Sequence, residues 1–355
     1  MDHKSDRLKQ LRKTLLERQI DALLISKSEN LFYFTGFRST ECQCVVTEQD
    51  FFLVTDFRYE EAARETVPEA QVVVTGDSVS LFSFLTELQP STLAVEEKTI
   101  SHGYYRELVD KTKLPLVPGD GIPEALRMIK DASERKSISR AQELTDLCFS
   151  HMLTRIRPGR TELELAWEIE RFLREQGAEA LSFETICVSG PRTSLPHGGP
   201  TSRGIETGDF VTLDFGCIVD GYCSDMTRTV VIGKPSDEQR QVYDIVLQAQ
   251  KAACNAIRAN MSGKEADRAA RDVIEEAGFG AAFGHGTGHG VGLEIHEAPT
   301  LNKKSEELLV ENMVVTIEPG IYLPGKFGVR IEDLAFVTDS TIINKTKSEK
   351  ELIVL

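Results

Sequence analysis

Five side chains in the second half of the chain have the types and spacing to hold metal ions: Asp214, Asp225, His289, Glu318 and Glu332. Four carboxylates and one imidazole, with no thiolate among them, form a hard, oxygen-rich donor set. Such a set suits Mn2+ first, with Co2+ or Zn2+ as alternatives, better than it suits a structural zinc. Two divalent ions sharing bridging carboxylates lower the pKa of a bound water and polarise a carbonyl oxygen, which is the chemistry of metal-assisted hydrolysis. No Gly-x-Ser-x-Gly elbow and no cysteine in a nucleophile motif competes with it.

Each member has local reasons to be where it is. The segment 210–233, FVTLDFGCIVDGYCSDMTRTVVIG, reads as a β-hairpin turning at Asp220-Gly221, a dipeptide favoured in two-residue type I′ turns. That turn puts Asp214 opposite Thr227, with Asp225 as its diagonal neighbour on the same face, roughly 7–8 Å away at Cα. A solvated face that happens to carry two acids is the plain alternative, although Val211, Leu213 and Phe215 argue against a freely solvated loop. Further on, GHGTGHGVG from Gly284 and then His296 place three of the chain's seven histidines within twelve residues. The glycines do not match either phosphate-cradle spacing, and His-Glu-x-x-His fails because Thr300 stands in the last place. They read as permission for close backbone approach. Any one of these histidines could be a packed core residue; three together favour a site. Glu318 ends an apolar strand in MVVTIEPG, followed by a turn at Pro319-Gly320, and Arg330 and Glu332 in GVRIED fall on one face of a strand. A plain Arg330–Glu332 ion pair is the alternative there, since a buried acid needs a partner or a cation.

The elements that must position these groups follow from periodicity. An amphipathic helix over 7–18 leads into a strand at Ala22–Ile25, with further strands near Phe51–Val54 and Val72–Val74, an alternation that predicts a sheet covered by helices. The Pro- and Gly-rich stretch VPGDGIP from Val117 precedes a long helical pattern from Glu134 to Ile156, so a domain boundary is expected near 130, giving domains 1–130 and 131–355. Thr161 and Glu164 form a capping box opening a second helix, with Ala166, Ile169 and Phe172 on its apolar face and Gly177 to end it. Strands are expected around Thr185–Ser189 and Phe210–Gly216.

Composition excludes other classes. With 41 Lys+Arg against 56 Asp+Glu and a net charge of −15, the chain has no basic stripe for nucleic acid. The uncharged stretch Ala277–Leu293 is too glycine-rich for a membrane span, and the charged N-terminus leaves no apolar secretory segment, so no membrane partner and a cytoplasmic location are expected. Seven scattered cysteines, without Cys-x-x-Cys spacing, predict reduced structural thiols.

The order Asp214, Asp225, His289, Glu318, Glu332 resembles the ligand series of the "pita-bread" metallopeptidases: methionine aminopeptidase, aminopeptidase P and prolidase. The blocks LDFGCIVDGYCSDMTRT, HGTGHGVGLEIHEAP, IEPGIY and GVRIED carry that resemblance. ENLFYFTGF from Glu29 and TDFRYEEAA from Thr55 resemble the creatinase-type N-terminal domain that methionine aminopeptidases generally lack. The resemblance implies an α+β chain, a pita-bread catalytic domain preceded by a smaller α/β creatinase-type domain. It implies a peptidase that uses two divalent ions and a bridging water to cleave the Xaa–Pro bond, in dipeptides or at the N-terminus of peptides with proline second. Asp214 would chelate one ion, Glu332 bridge both, and Asp225, His289 and Glu318 complete the set, with Glu318 also the general base. His197, in SLPHGGP, would lie near the scissile bond; His296 would steady the carbonyl and the tetrahedral intermediate. His285 matches a pocket histidine of the proline-specific members, and Arg330 a group that supports the ligands or meets the substrate carboxylate. A homodimer is expected by the same resemblance. A metal-free creatinase-like hydrolase and a non-catalytic peptide- or protein-binding module share the fold, but such relatives typically have broken ligand sets, and all five positions are filled here.

Overall fold

The structure, a computed structural model, describes residues 3–355. The chain divides into two compact units, one ending at Arg127 and the other running from Met128 to Leu355.

The first unit is built on strands β1 (Ala22–Ile25), β2 (Gln43–Thr47), β3 (Phe51–Asp56), β4 (Gln71–Thr75), β5 (Leu93–Val95) and β6 (Leu116–Pro118), in the order β4-β3-β2-β1-β5-β6. Its helices are α1 (His3–Glu17), α2 (Ser28–Thr35), α3 (Glu60–Thr66), α4 (Leu81–Leu88), α5 (His102–Thr112) and α6 (Ile122–Met128). The pairs β3–β4 and β5–β6 are parallel and each requires a crossover, supplied by α3 and α5. Every residue of β1 is buried, as a central strand covered on both faces demands. In α1 the apolar spacing Leu8, Leu11, Leu15 makes the buried stripe.

The second unit opens with α7 (Ala132–Met152), which starts two residues before the expected Glu134 because Asp131 caps it in a capping box with Glu134. It stops short of Ile156. Helix α8 (Glu162–Glu175) begins at the Thr161–Glu164 box and buries Leu165, Ala166, Ile169 and Leu173; Phe172 is only half-buried and stacks on His151. Gly177, at φ 97°, follows its end. These helices pack on a three-stranded antiparallel sheet of β8 (Ile186–Ser189), β9 (Phe210–Phe215) and β12 (Met226–Val231), in which Phe215, Val211 and Met226 join Leu144, Phe149 and Ile169 in one core. A smaller sheet joins β7 (Ala180–Leu181), β10 (Cys217–Val219) and β11 (Tyr222–Cys223).

The hairpin keeps the expected register throughout: Asp214 faces Thr227, Ile218 faces Cys223, and Asp220 and Gly221 turn with φ of 48° and 85°. Helices α9 (Asp237–Ala256) and α10 (Gly263–Glu276) cover the remaining strands, β13 (Gly288–Gly290), β14 (Glu297–Leu301), β15 (Val314–Ile317), β16 (Gly320–Leu323), β17 (Phe327–Arg330), β18 (Asp333–Val337) and β19 (Ile342–Asn344). Five of these form a sheet ordered β14-β13-β15-β18-β19, while β16 and β17 form a ribbon.

Two local expectations change. Pro319-Gly320 is not a turn: the chain leaves the sheet at Glu318-Pro319, and Gly320 already pairs with Arg330. Proline has no N–H to continue the ladder, so the strand breaks there. Arg330 and Glu332 do not share a strand either, because β17 ends at Arg330 and β18 begins at Asp333. The two breaks adjoin, with Ile331 N–H donating to Pro319 O at 3.4 Å.

Candidate metal centre

The hairpin contributes Asp214 from within β9 and Asp225 from the step between β11 and β12. His289 lies in β13, Glu318 follows β15, and Glu332 fills the gap between β17 and β18. All five line one cavity of about 650 Å³, together with His197, His285, His296 and Arg330. The sheet reaches this arrangement through close backbone contact at the glycines. A Cβ on Gly288 would lie 2.0 Å from Thr316 O, and one on Gly290 would lie 2.3 Å from Ala298 O, so no larger residue lets β13 lie between its neighbours.

One ligand atom each from Asp225, His289 and Glu332 falls within 4.8 Å of the others. His289 Nε2 lies 3.6 Å from Asp225 Oδ2 and 3.3 Å from Glu318 Oε1. Its Nδ1 lies 3.1 Å from Gly290 O, an acceptor only, which assigns the proton to Nδ1 and leaves the Nε2 lone pair facing the carboxylates. The His289 N–H donates to Thr316 Oγ1 at 3.0 Å, and that hydroxyl donates to Glu318 Oε1 at 3.2 Å. Thr227 Oγ1 likewise donates to Glu332 Oε2 at 2.8 Å.

These acids are poorly satisfied by protein alone. Asp214 Oδ1 and Asp225 Oδ1 are buried with no hydrogen-bond partner. Burial, then repulsion from Asp214 and Glu318, pushes the Asp225 carboxyl well above its usual range. Burial and the charges of Asp225, Glu318 and Asp214 do the same to Glu332, and burial raises Glu318. Orphaned oxygens and mutually repelling buried carboxylates around one imidazole fit divalent cations, which would satisfy the oxygens and reverse the repulsion.

Around this cluster Arg330 is a hub. Its guanidinium donates to Asp214 Oδ2, to Thr227 Oγ1 at 3.0 Å, to Tyr322 OH at 2.8 Å and to Pro196 O at 3.2 Å. Burial opposes its charge, yet Tyr322, Asp214 and Glu318 hold its pKa well above the ordinary value. The alternative of a plain Arg330–Glu332 ion pair is not what forms: Arg330 pairs directly with Asp214 and reaches Glu332 only through Thr227. Of the two roles the resemblance implies for Arg330, these contacts fit support of the ligands. His285 donates from Nδ1 to Gly286 O at 2.7 Å and accepts at Nε2 from Tyr322 OH at 2.9 Å. Burial pushes Tyr322 up to about 12, so it keeps the proton it donates. His296 is exposed toward the cavity, its ring 4.4 Å from that of His289 in an edge-on contact, and desolvation followed by His289 and His197 lowers its pKa. His197 is exposed at the rim.

Known proteins decide the family. A model described as "Metallopeptidase family M24" matches residues 136–339, and one described as "Creatinase/Prolidase N-terminal domain" matches residues 7–129. The chain belongs to metallopeptidase family M24. An Xaa-Pro dipeptidase from Pyrococcus furiosus is 38% identical over 98% of this chain and 99% of its own length. Among solved structures, an Xaa-Pro dipeptidase from Bacillus anthracis is 42% identical with a TM-score of 0.96, covering 99% of this chain and 100% of that one. An X-Pro aminopeptidase from Thermotoga maritima is 36% identical with a TM-score of 0.91, covering 98% and 99%. The M24 pita-bread fold with a creatinase-type N-terminal domain is therefore the architecture here, and divalent metal ions come with the family.

All nine residues singled out from the M24 motifs line the same cavity. Sequence reasoning missed Thr227, Thr316 and Tyr322 as partners of those residues. The Asp-Gly turn already set Thr227 opposite Asp214, and Tyr322 closes the block IEPGIY, so both carried a usable signal. Among the described residues no helix is long and apolar enough to cross a membrane.

Proposed function

We propose that the chain hydrolyses the Xaa–Pro bond of dipeptides and of peptides with proline second. The observation that carries this is the set of buried Asp214, Asp225 and Glu332 and partly buried His289 and Glu318, with orphaned carboxylate oxygens, on the wall of a cavity flanked by His197, His285 and His296. The names borne by its relatives support the choice of bond. Those five residues would hold two divalent ions, Mn2+ first and Co2+ or Zn2+ otherwise, which supply Lewis acidity toward water and the scissile carbonyl.

The rest falls to the chain's own groups. Glu318, whose pKa burial raises, takes the proton of the attacking water at its carboxylate and holds it for the departing proline nitrogen. His296, whose lowered pKa keeps it neutral, donates a hydrogen bond to the carbonyl oxygen as it gains charge, and His197 at the rim approaches the same bond. His285, fixed between Gly286 O and Tyr322, and the apolar Phe183, Ile295 and Pro200 form walls for the pyrrolidine ring. Proline has no N–H, so the site needs no acceptor for one. A catalytic unit over 131–355, a creatinase-like unit over 1–130, a homodimer and a cytoplasmic location complete the reading.

The test is hydrolysis of Ala-Pro and Ala-Pro-Ala after chelation and readdition of Mn2+, Co2+ or Zn2+. Turnover restored by metal supports the proposal, and the ratio of the two rates sets the preferred length. No turnover of either peptide with any of the three metals would sink it.

A further inference from the structure

Lys130 lies outside every motif, yet its side chain is wholly inaccessible, and its Nζ lies 2.7 Å from Glu297 Oε1, itself only 8% exposed. A buried ion pair is costly to assemble and leaves an uncompensated charge if one partner is removed, so its place in the fold deserves a reason. That place is the base of the loop carrying His296. Glu297 follows His296 directly and begins β14, and the ladder to β13 slips there, His289 pairing with Thr300 but Gly290 with Glu297. The Glu297 carboxylate folds back under its own loop, so that a Cβ on Gly292 would lie 2.3 Å from Oε1. Gly292 O in turn accepts from Cys223 N–H at 2.8 Å, two residues before Asp225. Lys130 is held from its own side, with its N–H donating to Asn312 O at 3.0 Å and its carbonyl accepting from Arg135 Nη1 at 2.7 Å. A fixed ammonium thus grips the carboxylate one residue beyond the exposed His296 imidazole.

We propose that Lys130 and Glu297 are positioning residues that hold the His296 ring against His289 and in register with the scissile carbonyl. The role rests on reading His296 as the group that meets that carbonyl. Misplacing a positioned group by an ångström costs rate rather than ground-state binding, so kcat carries the effect and KM does not.

The test compares three variants with the full-length wild type. Lys130→Met/Glu297→Leu removes both charges without orphaning either, Glu297→Gln keeps an acceptor for the ammonium, and Lys130→Arg keeps the charge but changes its shape. Kinetics on an Xaa-Pro substrate, Mn2+ titration calorimetry and the His296 imidazole NMR signals of metal-free protein are the readouts. The double variant should lose about 10- to 100-fold in kcat with KM nearly unchanged. Its Mn2+ affinity should match wild type, its His296 signals should move, and Glu297→Gln should recover most of the rate. A folded double variant with wild-type kcat and unmoved His296 signals overturns the proposal. If the double variant does not fold, Lys130→Arg carries the test, and wild-type kcat with unmoved signals again overturns it. A wild type inactive on every Xaa-Pro peptide defeats the functional reading instead, while the His296 signals still decide whether the pair sets the ring.

Discussion

Replacing Thr227 by valine keeps the volume of a fully buried side chain and deletes one hydroxyl. That hydroxyl donates to Glu332 Oε2 at 2.8 Å and accepts from Arg330 Nε at 3.0 Å, so two interactions go at once, and they fall on different observables. Arg330 is charged with or without metal, so its orphaned N–H lowers stability in both states and shows in the melting temperature. Glu332 behaves differently, because burial and its acidic neighbours hold its pKa well up, whereas a metal ligand must be ionised. The hydroxyl stabilises the ionised form, so its loss weakens metal binding. A hydrogen bond to a charged group is worth about 1.5–3 kcal/mol, which at about 1.4 kcal/mol per tenfold predicts roughly 10- to 100-fold weaker affinity. Groups that orient metal ligands typically have effects of about that size. Titration calorimetry of chelated Thr227→Val with Mn2+ measures it directly, with thermal unfolding followed on the same sample. A dissociation constant within about twofold of wild type in a folded variant refutes the assignment of Thr227 as the orienter of Glu332.

Three further outcomes follow from the same geometry. Asp225, Glu318 and Glu332 have pKa values raised above their unfolded values, so what they contribute to stability is full below the ordinary carboxylate range and is lost as pH rises through the raised values. Metal cancels that loss, and thermal unfolding should show the gap between metal-loaded and chelated protein widening as pH goes from about 5 to about 8; a constant gap contradicts the reasoning. Gly290→Ala should lose metal binding and activity, because its Cβ would fall 2.3 Å from Ala298 O, while Gly284→Ala, with open space around it, should behave as wild type. Arg330→Lys keeps the charge, but one ammonium cannot reach Asp214, Thr227, Tyr322 and Pro196 O together, and kcat/KM should fall by about 10- to 100-fold.

Much of this architecture was legible in local pattern. The Asp220-Gly221 turn alone determined the register that sets Asp214 opposite Thr227, since a two-residue turn leaves no freedom in the pairing. The box at Thr161 marked where α8 begins, and the β-branched run before Glu318 marked β15. What escaped was the path between strands. Whether Gly320 turns or pairs depends on Arg330, ten residues on, and whether Glu332 continues a strand depends on Asp333 pairing with Ile317. Those are tertiary choices, invisible to a window of neighbours.

The same blindness is why the sequence leaves an Arg330–Glu332 pair open as an alternative. In an unbroken strand, side chains two apart share a face, which makes Arg330 and Glu332 natural partners. The break at Ile331-Glu332 dissolves that relation. Glu332 N–H instead donates to Thr227 O at 3.1 Å and Glu318 N–H to Thr287 O at 2.8 Å, so each acid is hung from a neighbouring segment rather than from its own ladder. Asp225, Glu318 and Glu332 all occupy such gaps between strands. A regular sheet spaces its side chains by the pleat and cannot bring acids from several strands to one point, whereas a strand that stops and resumes can turn its carboxylate inward. Pro319 after Glu318 enforces one of these stops by lacking the N–H that the ladder requires. A proline directly after an acid at the end of a buried strand is therefore a positive sign of a convergent site, because the break it makes in the ladder lets the carboxylate reach the others.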